Sequence, residues 1–155
     1  MPTDKIVLFF EREPRDNSYK ALLKYACSKF PYFQFVIRPE LGLNKNGERV
    51  RTELEEFEQS RLKTRKWPGT ELFTEEFATA FKYDLNEQSA KILAKTVRGL
   101  YDWQQPDFPE DLCILRLDGT PWLVTIAHES YAHLEITEDE KVELLSIFGK
   151  IIEER

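Results

Sequence analysis

The sequence predicts a single α/β or α+β domain over residues 1–155, built on a mixed sheet with the element order β-α-β-α-β-α-β-β-β-α. Three observations lead to this prediction. The chain has 155 residues, of which 41% are hydrophobic and 32% charged, as expected for one soluble domain with a sizeable core. A strand–helix–strand pattern opens the chain. An Asp118-Gly119 pair inside an apolar stretch indicates a hairpin near its end.

The opening pattern predicts a βαβ unit. Residues 6–10 are uniformly apolar, which is typical of a strand covered on both faces. Asp16 or Asn17 can cap the following helix, which Pro31 ends. The buried face of that helix is marked by Tyr19, Leu22, Leu23, Ala26, Cys27 and Phe30. Residues 32–37 form the second strand, and a right-handed crossover is expected to join the two strands as parallel neighbours.

The middle of the chain predicts two helices and a strand. Residues 39–47 have a loop composition, and residues 48–66 fit a solvated helix on a narrow apolar stripe. Residues 77–85 alternate as a strand. The spacing of Asp84 and Glu87 resembles a capping box. The helix that follows has its buried face at Ala90, Leu93, Ala94, Val97, Leu100 and Tyr101.

The last third predicts an antiparallel meander and a helix. Residues 112–117 and 120–127 form a hairpin with Asp118-Gly119 as a type I′ turn, and Arg116 lies near an edge or is held by a carboxylate. Residues 131–136 alternate strictly, so Ala132, Leu134 and Ile136 should face inward. A capping box at Thr137 and Glu140 opens the terminal helix. Its expected inward stripe is Val142, Leu145, Phe148 and Ile152.

Targeting signals are not apparent. No apolar run approaches the ~20 residues that a membrane helix requires, and residues 1–5 lack the pattern of a signal peptide. The chain has only 2 cysteines, too few for a disulfide framework. We therefore expect a cytoplasmic protein with both thiols reduced.

The sequence offers no recognised catalytic, cofactor or metal motif. His128 and His133 are five residues apart, whereas the helical zinc motif needs histidines at i and i+4, so no metal site is expected. Cys27 and Cys113 both fall on apolar faces, which favours small buried side chains over nucleophiles. The glycine-rich phosphate loops and the Gly-x-Ser-x-Gly elbow do not occur either. No cofactor and no catalytic residue are therefore assigned from motifs.

Two tryptophans in proline-containing loops mark a candidate pocket. Trp67 and Trp103 either plug the ends of the core or line a recognition surface. If they converge with Gln104, Gln105 and His128, these side chains form the best candidate site.

Three segments of the chain carry a resemblance: Lys5 to Phe10, Lys66 to Phe73, and Pro109 to Glu129. Together they resemble a group of small uncharacterised bacterial proteins, some of which are labelled stage III sporulation protein AH. The resemblance covers nearly the whole chain and implies a bacterial cytosolic protein. It implies no activity, cofactor or catalytic residue.

Charge is unevenly distributed along the chain. Residues 1–66 carry 14 Lys and Arg against 10 Asp and Glu, whereas residues 67–155 carry 8 against 18. The net charge of −6 disfavours a general nucleic-acid binder, because phosphate contacts need a basic footprint.

Two function classes follow from the sequence. The first is a binding protein that masks a basic protein partner, as immunity proteins mask toxins, through an acidic end that includes Glu135 and Asp139 with Glu129 nearby. The alternative is a small enzyme with a loop-built pocket, in which His128 is the base and Glu129 orients it, aided by Arg116 or Arg38.

Overall fold

Eight strands form one antiparallel sheet in a computed structural model that describes residues 5–155. The helices are α1 (Asn17–Lys29), α2 (Lys45–Leu54), α3 (Glu87–Thr96) and α4 (Glu138–Phe148). The strands are β1 (Ile6–Phe10), β2 (Tyr32–Ile37), β3 (Glu58–Thr64), β4 (Lys66–Trp67), β5 (Thr70–Glu71), β6 (Ala78–Asp84), β7 (Glu110–Leu115), β8 (Pro121–Ile126), β9 (Tyr131–Ile136) and β10 (Ile152–Glu154). This is an α+β fold, one of the two classes predicted.

The order across the sheet is β10-β1-β9-β8-β7-β2-β6-β3, and β4 and β5 form a separate hairpin. The expectation that β1 and β2 are parallel neighbours is wrong. Both edges of β1 are occupied by antiparallel partners, β9 and β10, and both edges of β2 by β6 and β7. The meander β7-β8-β9 therefore lies between the two strands, and α1 connects strands that do not touch.

The main core lies between the sheet and the helices. Leu8, Leu134 and Leu123 are paired across β1, β9 and β8 and are fully buried. On α1, Leu22 and Ala26 are equally buried in the same core. A second, smaller core lies elsewhere on the sheet, where Trp67 of the β4–β5 hairpin packs with Val36, Ala78 and Ala80. We call the sheet surface under this hairpin the outer face.

The expected helix over residues 48–66 is half wrong. Helix α2 already begins at Lys45, inside the expected loop, because the Asn44 side chain accepts hydrogen bonds from the N–H groups of Asn46 and Gly47. It ends at Leu54, and β3 follows as an edge strand on β6. The charged side chains of β3 remain in solvent, and such charges protect an edge from pairing with other chains.

Helix α3 is shifted from its expected bounds. Its capping box uses Asn86 and Ser89 rather than Asp84 and Glu87. The helix ends at Thr96, although Leu100 in the following short turn is still fully buried. The expected strand over 77–85 is confirmed as β6.

The β7–β8 turn has three residues instead of the expected two. The N–H of Arg116 donates to the carbonyl of Thr120, and the N–H of Gly119 donates to that of Arg116. Gly119 has the positive φ of 87° that the Asp-Gly signal implied, but Asp118 does not, so the turn is not type I′. Leu117 is consequently exposed in the loop instead of paired with Thr120.

The end of the chain agrees with prediction except in the facing of α4. Ala132, Leu134 and Ile136 are buried, and the Thr137–Glu140 capping box is present. On α4, Phe148 is buried as predicted, but the other inward residue is Leu144, whereas Val142 and Leu145 are exposed. Glu140, one turn before Leu144 and two turns before Phe148, accepts hydrogen bonds from Arg116, which also donates to the carbonyl of Glu135 in β9, and these bonds favour the observed facing. Ile152 is buried as part of β10, outside the helix.

No helix within residues 5–155 is long and apolar enough to cross a membrane. Residues 1–4, on which the prediction about a signal peptide partly depended, lie outside the described part of the chain.

Candidate functional site

Two adjacent carboxylates are buried at the start of β7. Glu110 and Asp111 are 4% and 3% exposed, although acidic residues are rarely buried to this degree without a partner. Neighbouring residues of a regular strand point to opposite faces, but β7 is bulged here: Gln34 pairs with Cys113 while Val36 pairs with Glu110. Asp111 has a φ of 56° within this bulge. The bulge therefore allows both carboxylates to approach the same point.

Fixed donors hold both carboxylates. Asp111 accepts a hydrogen bond of 2.9 Å from the N–H of Ala127 at Oδ1 and one of 3.3 Å from the indole N–H of Trp67 at Oδ2. Glu110 accepts a hydrogen bond of 2.7 Å from the N–H of Gln105 at Oε1. The donors come from three separate segments of the chain, so the carboxylate positions are determined by tertiary structure.

His128 completes the site from the turn that follows β8. One nitrogen of its ring and one oxygen from each of Glu110 and Asp111 all lie within 4.8 Å of one another. His128 is exposed, whereas both carboxylates are buried. We call these three residues the Glu–Asp–His cluster. The two carboxylates form the buried part of the cluster, and the imidazole of His128 forms the part that faces solvent.

Burial dominates the electrostatics of the cluster. It raises the pKa of the Asp111 carboxyl and that of Glu110, and the negative charge of Asp111 raises the pKa of Glu110 further. The hydrogen bonds from Gln105 and Ala127 oppose this shift. Within residues 5–155 neither carboxylate forms an ion pair, and the nearby Arg38 guanidinium is bonded to Glu40 at 2.7 Å.

The structure brings together part of the predicted pocket. Trp67, Gln105 and His128 all contact or belong to the cluster. The side-chain amide of Gln104 donates to the carbonyls of Tyr101 and Ala127 and so supports the same turn. Trp103 is fully buried, and its indole N–H donates to the Tyr19 hydroxyl, so this tryptophan plugs the core.

Sequence reasoning missed the two carboxylates at the centre of this site. An acidic pair directly before an apolar strand could have drawn attention to these two residues, but not to their convergence on one point. Glu129, by contrast, is exposed, and no hydrogen bond among the described residues joins it to His128. The carboxylates available to orient His128 are therefore Glu110 and Asp111.

The predicted acidic end is partly neutralised internally. Glu135 forms an ion pair with Lys5, and its Oε2 lies in a hydrogen bond of 3.0 Å with Nε2 of His133. The other ring nitrogen of His133, Nδ1, is hydrogen-bonded to the Tyr131 hydroxyl. The Glu140 carboxylate accepts a bidentate pair of hydrogen bonds, 2.6 and 3.0 Å long, from the Arg116 guanidinium. Glu138 and Asp139 are exposed, and neither pairs with a cation of residues 5–155.

Two adjoining grooves run along this side of the molecule. The hairpin groove, of about 560 Å³, lies between the β4–β5 hairpin and strands β8 and β9, and its walls include Trp67, Pro68 and Val124. The acidic groove, of about 960 Å³, lies between the β7–β8 turn and the start of α4. Pro121 and Glu135 line both grooves, which therefore meet at these residues.

Fold and site together define an α+β protein with an eight-stranded antiparallel sheet, a buried carboxylate pair and an acidic groove. Comparison of the chain with protein-family models, curated proteins and solved structures finds no match.

Proposed function

We propose that this protein binds a basic segment of a partner protein along the acidic and hairpin grooves. The observation that carries the proposal is the unequal charge of the acidic groove. Its walls include the carboxylates of Asp118, Glu135, Glu138 and Asp139 but, among residues 5–155, only two cations, Lys5 and Arg116.

Both cations are already engaged by the protein itself. Lys5 pairs with Glu135, and Arg116 pairs with Glu140. Asp118, Glu138 and Asp139 form no ion pair with a cation of residues 5–155. Hydrogen bonds from the Thr120 hydroxyl and N–H lower the pKa of Asp118, so this carboxylate stays ionised at neutral pH. The groove is thus complementary to ammonium or guanidinium groups.

The adjoining hairpin groove adds an apolar requirement. Trp67, Pro68, Pro121 and Val124 line it, next to Glu135 where the grooves meet. A segment that places an apolar side chain beside Lys or Arg would match both grooves. The apolar side chain distinguishes the proposed partner segment from any positively charged peptide, because an apolar anchor contributes affinity that salt does not screen.

A binding assay with defined peptides tests the proposal. A fluorescent peptide of alternating Leu and Arg should bind and should dissociate as salt is raised, whereas alternating Leu and Glu should not bind. The Glu138→Lys, Asp139→Lys double variant should weaken binding by roughly 30-fold, at about 1 kcal/mol for each reversed charge.

Glu75→Lys with Glu76→Lys is the matched control. Both residues are exposed in the loop before β6, do not line either groove, and give the same change in net charge. Binding lost equally in both double variants, or equal binding of the acidic peptide, would contradict the proposal.

A further inference from the structure

We propose that Glu110, Asp111 and His128 bind one divalent transition-metal ion, of the class represented by Zn²⁺ and Mn²⁺. The proposal is independent of the acidic groove and concerns a different set of side chains.

Convergence of three ligand side chains is the first argument. The carboxylates come from a bulge in β7 and the imidazole from the turn after β8, yet one donor atom of each lies within 4.8 Å of the others. Metal–ligand bonds of about 2.0–2.2 Å place neighbouring ligand atoms in this range of separation. Three protein ligands and an open side are typical of sites that leave a coordination position for water or a substrate.

An oxygen that no protein donor occupies is the second argument. Glu110 is 4% exposed as a residue, and its Oε1 accepts the Gln105 N–H. No hydrogen bond from residues 5–155 reaches its other oxygen, Oε2. Glu110 therefore keeps a carboxylate oxygen available to coordinate an ion in the cluster.

The support around the ligands is the third argument. Trp67 and the backbone of Ala127 each bond one Asp111 oxygen, and Gln105 bonds Glu110. Hydrogen bonds of this kind orient ligating carboxylates in metal sites. They also leave the second lone pairs of the accepting oxygens available to an ion.

The mixed donor set indicates the class of metal. Ca²⁺ and Mg²⁺ prefer oxygen ligands alone, whereas Zn²⁺ and Mn²⁺ accept carboxylate and imidazole together. A site that includes His128 should therefore select Zn²⁺ or Mn²⁺ over Mg²⁺ and Ca²⁺.

The two histidines of the chain provide a matched pair of variants. Equilibrium dialysis of the metal-stripped protein with Zn²⁺ or Mn²⁺ should give one ion per chain. His128→Ala should lower the affinity by at least about tenfold, whereas His133→Ala, which alters the Tyr131–Glu135 network, should leave it unchanged. Equal loss in both variants, binding well below one ion per chain, or equal affinity for Mg²⁺ and Ca²⁺ would overturn the assignment.

Glu110→Gln is a second variant, and its readout is the melting temperature. Its amide oxygen can keep the Gln105 hydrogen bond, and its NH₂ group would replace the oxygen that has no donor. In the presence of a metal chelator, the Glu110→Gln protein should melt at a higher temperature than the parent, because the substitution removes a buried charge. Added Zn²⁺ should raise the melting temperature of the parent and of His133→Ala but not that of Glu110→Gln. An equal rise in all three proteins would contradict the proposed site.

Discussion

Adding one methyl group at Gly69 tests how closely the β4–β5 hairpin lies on the outer face. Gly69 has a φ of +88°, and a Cβ there would lie 2.9 Å from Val124 Cγ1 and 3.1 Å from Ile126 Cγ1. Two penalties are expected in Gly69→Ala. The left-handed backbone costs an alanine about 1–2 kcal/mol, and the crowding against β8 adds about 1–3 kcal/mol.

Gly119 supplies the control for backbone strain. Its φ is +87°, but a Cβ there meets nothing within 4 Å. Gly119→Ala should therefore lose only about 1–2 kcal/mol of unfolding free energy, and Gly69→Ala about 2–5 kcal/mol. The difference between the two variants isolates the contact between hairpin and sheet.

Urea unfolding measures both values, provided that the slope of free energy against denaturant is unchanged. In Gly69→Ala, displacement of the hairpin should also expose Trp67 and shift its fluorescence to the red, because this indole is 5% exposed in the parent. Equal destabilisation by the two substitutions would refute the close packing of the hairpin.

Three further outcomes are expected. Under native conditions iodoacetamide should modify Cys27 before Cys113. Burial raises the pKa of both thiols, but Cys113 is also almost completely buried and so less accessible to the reagent. Equal modification rates in mass spectrometry would contradict this expectation. Arg116→Ala should cost about 1–3 kcal/mol in urea unfolding, since the Glu140 carboxylate loses the two hydrogen bonds that Arg116 donates and keeps only that from the Thr137 N–H; an unchanged midpoint would show that the pair contributes nothing. Burial raises the pKa to about 12 in each of Tyr25, Tyr83 and Tyr101. Stability should therefore fall as the pH rises from about 10 to 12, because the folded state retains phenolic protons that the unfolded chain loses. The circular dichroism signal and the phenolate absorbance of these tyrosines should change together, and their ionisation near pH 10 without unfolding would contradict the prediction.

The sequence predicts elements well where side-chain burial has a single period. Strand β9 alternates strictly, and its inward residues are as expected. Strand β3 has no such alternation, because nearly all of its side chains are in solvent and its position depends on pairing with β6. Helix α4 carries apolar residues on several sides, so the contact of Arg116 with Glu140, rather than periodicity, determines which side is buried.

The candidate site divides in the same way. Trp67 and His128 were predictable as aromatic and titratable residues in turns, which are common places for function. Glu110 and Asp111 were not, because an extended strand would point them to opposite faces. Only the bulge opposite β2 brings them together, and its presence depends on long-range pairing that local sequence does not encode.

The position of β1 in the sheet has a consequence for biosynthesis. Ile6 pairs with Ile136, and Phe10 pairs with Ile152, so both partners of β1 are synthesised after the other strands of the sheet. During translation the apolar segment Ile6–Phe10 must wait without its sheet neighbours until β9 and β10 have left the ribosome. Contacts between residues so distant in sequence slow folding and prolong the exposure of apolar, aggregation-prone segments. A nascent chain stopped before residue 131 should therefore depend on chaperones more strongly than a chain that extends through residue 155.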